Sequence, residues 1–117
     1  MLSIIIVNYR SWKRLSACLK SIAQQAYDDI ETIVVDNFSN DGEGASFASQ
    51  FPHVKFIMQN INGGFAQACN KGAEHATGDW FLFLNPDTVL DKPILKTLLE
   101  KVDQEPSWKL VGIRQFN

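Results

Sequence analysis

Four polar stretches in this 117-residue chain each follow directly on an apolar run, and each carries groups that can do chemistry. Asn8, Tyr9, Arg10 and Ser11 follow residues 2–7; Asp36, Asn37, Ser39, Asn40 and Asp41 follow residues 32–35. A loop containing Asn62, Gly63 and Gly64 follows residues 54–58, and Asn85-Pro86-Asp87-Thr88 follows residues 80–84. Taken singly, each is ordinary turn chemistry: Asn, Asp, Gly and Pro are the residues that close turns. Taken together they suit a nucleotide diphosphate. Asp36 can accept a hydrogen bond from the imide N–H of a uracil- or thymine-like base, and Tyr9 offers a ring. Gly63 and Gly64 allow close approach of the backbone, with a helix N-terminus behind them. Asp87 is the difficulty, because a carboxylate about 4 Å from a phosphate charge repels it by roughly 4 kcal/mol at an effective dielectric near 20. A divalent cation, Mg²⁺ or Mn²⁺, turns that repulsion into attraction, with one carboxylate, phosphate oxygens and waters as its shell. Asp87 is therefore the expected metal ligand.

These stretches are useful only if the elements before them deliver them to one place. Residues 2–7, 32–35 and 80–84 are unbroken apolar runs, which suit parallel strands covered on both faces. Residues 54–58 predict a shorter strand nearer an edge, and residues 109–113 a fifth. Helices are expected between them. Residues 11–25 place Trp12, Leu15, Leu19 and Ile22 on one face behind an N-cap at Ser11, and residues 43–50 form a short helix. Residues 64–77 place Phe65, Cys69, Gly72, Ala73 and Ala76 on one face, small enough for the backbone to lie close to a sheet. Residues 93–104 open on Pro93 and carry Ile94, Leu95, Leu98, Leu99 and Val102. Strict alternation of strand and helix predicts an α/β fold with an open, mostly parallel sheet flanked by helices. With right-handed crossovers the expected strand order is 3-2-1-4, and ligands of such sheets bind outside the carboxyl ends of the strands where the order reverses.

Composition narrows the function classes. The length fits one domain, and 45% apolar with 21% charged residues is an ordinary globular balance. A formal net charge of −2 argues against a nucleic-acid partner. No run approaches the roughly 20 apolar residues of a membrane span, and Lys or Arg does not precede the first apolar run as in a secretion signal. Cys18 and Cys69 fall on predicted helix faces and are expected as free thiols, without a Cys or His at metal-ligand spacing. His53 and His75 are expected to be structural or solvated. A cytoplasmic location, or a peripheral one at the inner face of a membrane, follows as the expectation.

The segments SIIIVNYRS, VVDNFSNDG, NGGFAQACNKG and LNPDT, in this order and spacing, resemble family 2 glycosyltransferases with the GT-A (Rossmann-like) fold, most of all their rhamnosyltransferase-like branch. The likeness runs from residue 2 to about residue 113. It implies an inverting transfer of a sugar from a UDP- or dTDP-sugar donor to the hydroxyl of a saccharide or lipid-linked saccharide acceptor. By the same resemblance Asn8, Tyr9 and Asp36 contact the base or ribose. The Asn62–Phe65 loop, with Gly63 and Gly64, borders the donor together with Asn70. Asn85-Pro86-Asp87 stands in for the acidic metal motif of the family, with Asn85 where many members have Asp and hence a weaker cation site. Members usually continue well beyond this length with an acceptor region and a catalytic base, so these residues are expected to be the donor-binding half, with the base beyond Asn117. The rival expectation is a non-catalytic nucleotide-binding module that self-associates through the open sheet edge. A phosphorylation-dependent receiver domain shares the length and alternation, but it needs paired acids where Asn8 and Tyr9 stand.

Overall fold

The structure, a computed structural model, describes residues 1–107. Strand β1 (Leu2–Asn8) is followed by helix α1 (Trp12–Ala23), strand β2 (Ile30–Asp36) and the short helix α2 (Gly44–Ser49). Strand β3 (Lys55–Met58), helix α3 (Phe65–His75), strand β4 (Trp80–Leu84) and helix α4 (Ile94–Asp103) complete the described chain. The four strands form one sheet in the order β3-β2-β1-β4, with all neighbours parallel, as the apolar runs predicted. The fifth strand expected at residues 109–113 lies outside the described residues.

Alternation along β1 builds two layers. Leu2, Ile4 and Ile6 pack with Val34 and Leu84 against Leu15, Cys18, Leu19 and Ile22 of α1 and Leu95, Leu99 and Val102 of α4. Fully burying one such side chain contributes about 1.5–3 kcal/mol, so this layer carries most of the fold. The opposite face is thinner: Ile33, Val35 and Ala68 form its buried nucleus. There α3 lies against β1 and β2. Gly72 makes that approach possible, since a Cβ at this position would stand 2.5 Å from Ile5 Cγ2.

Three local expectations are corrected. Ser11 precedes α1 but makes no side-chain cap; its hydroxyl bonds Tyr9 O at 3.2 Å instead. The sheet-facing residues of α3 are Ala68 and Gly72, whereas Phe65 is 61% exposed because the first turn projects past the sheet at its carboxyl rim. Finally, among the described residues β4 is covered on one face only. Trp80, Leu82 and Leu84 join the α1–α4 layer, while Phe81 and Phe83 are 43% and 48% exposed because α3 sits over the two neighbouring strands.

Candidate functional site

Register sets the polar ends of the strands at one level. Asn8 lies beside Asp36, and Asp36 beside Met58, so the loops after β1, β2 and β3 leave the sheet together. On the other side of β1, Leu84 is level with Ile6, and Asn85 begins the loop after β4. With strands about 4.8 Å apart, the ends of β2 and β4 are separated by about 10 Å across β1.

Asp36 is the centre of the first half of this rim. It is only 5% exposed, and its carboxylate is held by three donors. Asn8 Nδ2 donates to Oδ1 at 3.0 Å, Ser39 Oγ to Oδ1 at 2.6 Å, and Ser39 N to Oδ2 at 2.9 Å. Oδ1 is thus filled, and Oδ2 keeps capacity for a further donor. The orientation of the Asn8 amide is fixed by this arrangement, since turning it would set its oxygen against the carboxylate. Its own Oδ1 is buried and has no partner among the described residues.

Ser39 also joins the two loops. Its hydroxyl accepts from Arg10 N at 2.8 Å, and its carbonyl accepts from Arg10 Nε at 2.9 Å. The Arg10 guanidinium lies 5.3 Å from the centroid of the Tyr9 ring, a cation–π distance. A second set of bonds ties β2 to the glycine loop. Asn37, buried, donates to Gly64 O at 3.2 Å and accepts from Gln59 Nε2 at 3.0 Å. Gln59 and Gln67 exchange a reciprocal pair of amide bonds, both 3.0 Å. Asn62 Oδ1 accepts from Gly64 N at 3.0 Å, and Gly64, with φ of 92°, turns the chain into α3. The first amides of α3, which lack intrahelical acceptors, therefore open onto the same rim.

The loop after β4 is a tight turn in which Thr88 N donates to Asn85 O at 3.1 Å. Pro86 presets the first central position and leaves Asp87 at the second, the usual place of Pro in such turns. Asn85 and Asp87 are both exposed. Burial, and secondarily the charge of Asp87, push the Cys18 thiol up to about 11. Among the described residues no three His, Cys, Asp or Glu side chains gather as a metal cluster. Asn85 and Asp87 offer one amide oxygen and one carboxylate. That donor set fits a Mg²⁺- or Mn²⁺-like ion only when ligand oxygens and water fill the rest of its shell.

The expected site residues divide accordingly. Tyr9, Asn62, Gly63, Gly64, Asn85 and Asp87 are exposed in the loops that follow the strands, and Asn70 is exposed on the second turn of α3. Asn8 differs from these: it is 0% exposed and its amide donates to the Asp36 carboxylate. Ser39 and Asn37, named from sequence only as polar residues after β2, carry the scaffold together with Gln59 and Gln67, which the sequence reading left unassigned. Only the Asp-x-x-Ser spacing of Asp36 and Ser39 hinted at one of them, as a side chain able to bond backbone three residues on. Cys18 is buried and Cys69 half-buried, both free thiols. Among the described residues no helix is long and apolar enough to cross a membrane.

Comparison with known proteins gives a consistent result. The model of the family described as "Glycosyl transferase family 2" matches residues 3–116. Glycosyltransferase GlyG of Streptococcus pneumoniae serotype 4 is 30% identical over 115 residues, covering 96% of this chain and 38% of GlyG. A PGL/p-HBAD biosynthesis glycosyltransferase of Mycobacterium bovis is 38% identical over 93 residues, covering 77% of this chain and 36% of that protein. Among solved structures, S. aureus TarS 1–349 in complex with UDP-GlcNAc superposes with a TM-score of 0.82 at 25% identity, covering 97% of this chain and 37% of that one. The chain thus spans well under half the length of these relatives.

Proposed function

Because the chain belongs to glycosyl transferase family 2, we propose that it binds the nucleotide-diphosphate part of a sugar donor at the carboxyl rim of its sheet. It serves there as the donor-binding half of an inverting glycosyltransferase. The observation that carries this reading is the joining of separate loops at one rim: Arg10 to Ser39, Ser39 to Asp36, and Asn37 to Gly64. Asp36 Oδ2 takes the imide N–H of a uracil or thymine base, beside the Tyr9 ring. The Asn62–Phe65 loop and Asn70 border the diphosphate, and the α3 amides favour its charge. Asp87 would hold a Mg²⁺ or Mn²⁺ ion, with Asn85 bordering the nucleotide beside it, and the ion would supply charge neutralisation for the diphosphate. The acceptor is a saccharide or lipid-linked saccharide whose hydroxyl a general base deprotonates. The NPD form of the acidic motif favours the rhamnosyltransferase-like branch, and the setting is cytoplasmic or at the inner membrane face. Likeness to S. aureus TarS in complex with UDP-GlcNAc supports a uridine donor. Calorimetry with UDP and dTDP, with and without Mn²⁺, tests the reading: binding that strengthens with Mn²⁺ is expected, and no binding of either nucleotide refutes it.

A second reading has one observation in its favour. Among the described residues β4 has β1 as its single neighbour and exposes Phe81 and Phe83, a surface suited to self-association. A non-catalytic, self-pairing module would sediment as a dimer or larger species and bind nucleotide weakly. A monomer with Mn²⁺-enhanced UDP binding decides against it.

A further inference from the structure

Among the described residues, four other than glycine have left-handed backbone: Arg10 (φ 54°), Ala26 (φ 52°), Phe38 (φ 59°) and Asn40 (φ 49°). Ala26 has a local reason, since it follows α1 and its N–H bonds Ala23 O, a common way to end a helix. The other three all sit in the two loops that Ser39 joins at the carboxyl rim. Asparagine visits this region readily, but long and aromatic side chains rarely do. Strained positions of this kind persist only where their surroundings fix them, and they gather at binding sites.

Phe38 is the sharpest case. It lies between Asn37 and Ser39, which are 4% and 1% exposed and bonded on both sides, so its backbone has no freedom to relax. Its ring is nevertheless 39% exposed and belongs to neither core cluster. Glycine would suit the backbone better, and the core does not need the ring. What the position does provide is an aromatic surface two residues from the Asp36 carboxylate. The neighbouring loop, tethered through Arg10, presents Tyr9 at 47% exposure under a guanidinium.

We propose that Phe38 is an affinity-determining residue of the nucleotide site, a ring on which the planar base of a nucleoside diphosphate stacks while Asp36 reads its imide edge. Aromatic stacking of this sort is strong and tolerant of base identity, so Phe38 supplies affinity for the base and Asp36 supplies choice. The inference rests on the nucleotide-binding reading above.

The test compares the wild-type chain with Phe38→Gly and Phe38→Tyr, by thermal melting and by calorimetry with UDP and with pyrophosphate, all in Mn²⁺. Phe38→Gly relieves the left-handed strain, so its melting temperature should rise by about 2–5 °C. Its UDP affinity should fall at least about fivefold, with pyrophosphate affinity unchanged, and Phe38→Tyr should bind UDP as the wild type does. A ring that merely packs would give the opposite sign in the melting arm. The proposal is overturned if Phe38→Gly keeps wild-type UDP affinity, if it melts lower, if pyrophosphate binding falls in step, or if Phe38→Tyr loses as much as Phe38→Gly. Wild-type binding with an unchanged Phe38→Gly variant removes the role of Phe38 alone. A wild type that does not bind UDP removes the nucleotide-binding reading and this inference with it.

Discussion

Ser39→Ala should uncouple the two loops that shape the rim, and the cost follows from the bonds lost. The hydroxyl is 1% exposed, donates to a carboxylate at 2.6 Å and accepts from Arg10 N at 2.8 Å. A hydrogen bond to a charged group contributes about 1.5–3 kcal/mol, and a stranded amide costs about 1–3 kcal/mol when buried. Arg10 is exposed, so water can reach its N–H and the second figure falls to its lower end. The substitution removes a single oxygen, which leaves almost no cavity. The expected loss is therefore about 2–4 kcal/mol, equivalent to a fall in melting temperature of about 10 °C for a domain of this size. Urea unfolding is the direct assay, and the midpoint should move with the slope unchanged. Ser46→Ala is the control, because Ser46 is exposed and its hydroxyl bonds nothing described; it should stay within about 0.5 kcal/mol of wild type. If Ser39→Ala also loses less than about 0.5 kcal/mol, Ser39 is not what fixes Arg10 and Phe38, and the account of the rim as one scaffold is wrong.

Other consequences can be checked in the same preparation. Gly72→Ala puts a methyl 2.5 Å from Ile5 Cγ2 and 3.2 Å from Val35 Cγ2; overpacking of this kind should destabilise by about 1–3 kcal/mol despite alanine's better helix propensity, and a more stable variant would contradict the close approach of α3. At the opposite end of the sheet, burial by itself raises the Glu31 carboxyl, but bonds from Ser3 and Thr77 and the Lys55 charge outweigh it and hold its pKa below the ordinary 4.5. Its contribution is thus present above the unfolded-state pKa and lost as pH falls through the lower folded value. Glu31→Gln should then cost most stability at neutral pH, with the gap to wild type closing in acid; a gap independent of pH refutes the linkage. Burial also raises both thiols, Cys18 to about 11. Under native conditions iodoacetamide should label half-buried Cys69 slowly and Cys18 only on unfolding, and equal labelling rates would refute the packing of α1.

The sheet was legible because its signals are local and mutually consistent. Unbroken apolar runs predicted β1 and β2 buried on both faces, and right-handed crossovers left few strand orders to choose from. Coverage was not legible in the same way. Phe81 and Phe83 read as buried because an apolar run says that a strand can be covered on two faces, not that a helix lies over the second. The phase of α3 was missed for a related reason: Phe65 continues the periodic face, but it falls where the helix has passed the end of the sheet. At the site, residue type identified Asp36 and Asp87 as candidates, yet nothing in the chain distinguishes an Asn8 that meets a ligand from one that meets Asp36. The scaffold itself depends on pairs distant in sequence, such as Arg10 with Ser39 and Asn37 with Gly64, and those become visible only once the strands are in register.

The two acids of the rim reach different environments, and this separates their proposed tasks. Asp36 is buried and compensated by three neutral donors, so it needs no cation, and its remaining capacity suits a single N–H. Asp87 stands at the apex of an exposed turn with no hydrogen bond among the described residues, able to meet added charge only through solvent or an ion. With the ends of β2 and β4 about 10 Å apart, two such charges repel by about 1.7 kcal/mol at an effective dielectric near 20, well under the roughly 4 kcal/mol of a pair at 4 Å. Their variants should accordingly change different ratios. Asp36→Asn replaces an acceptor with a group that also donates; cytosine presents an acceptor where uracil presents its N–H, so the preference for UDP over CDP should narrow while the Mn²⁺ enhancement persists. Asp87→Ala should abolish the Mn²⁺ enhancement with the fold intact and leave the UDP-to-CDP preference in place. Calorimetry over the two nucleotides, with and without Mn²⁺, reads both ratios. If either variant moves the two ratios together, the acids act as one cluster and the division between base and diphosphate fails.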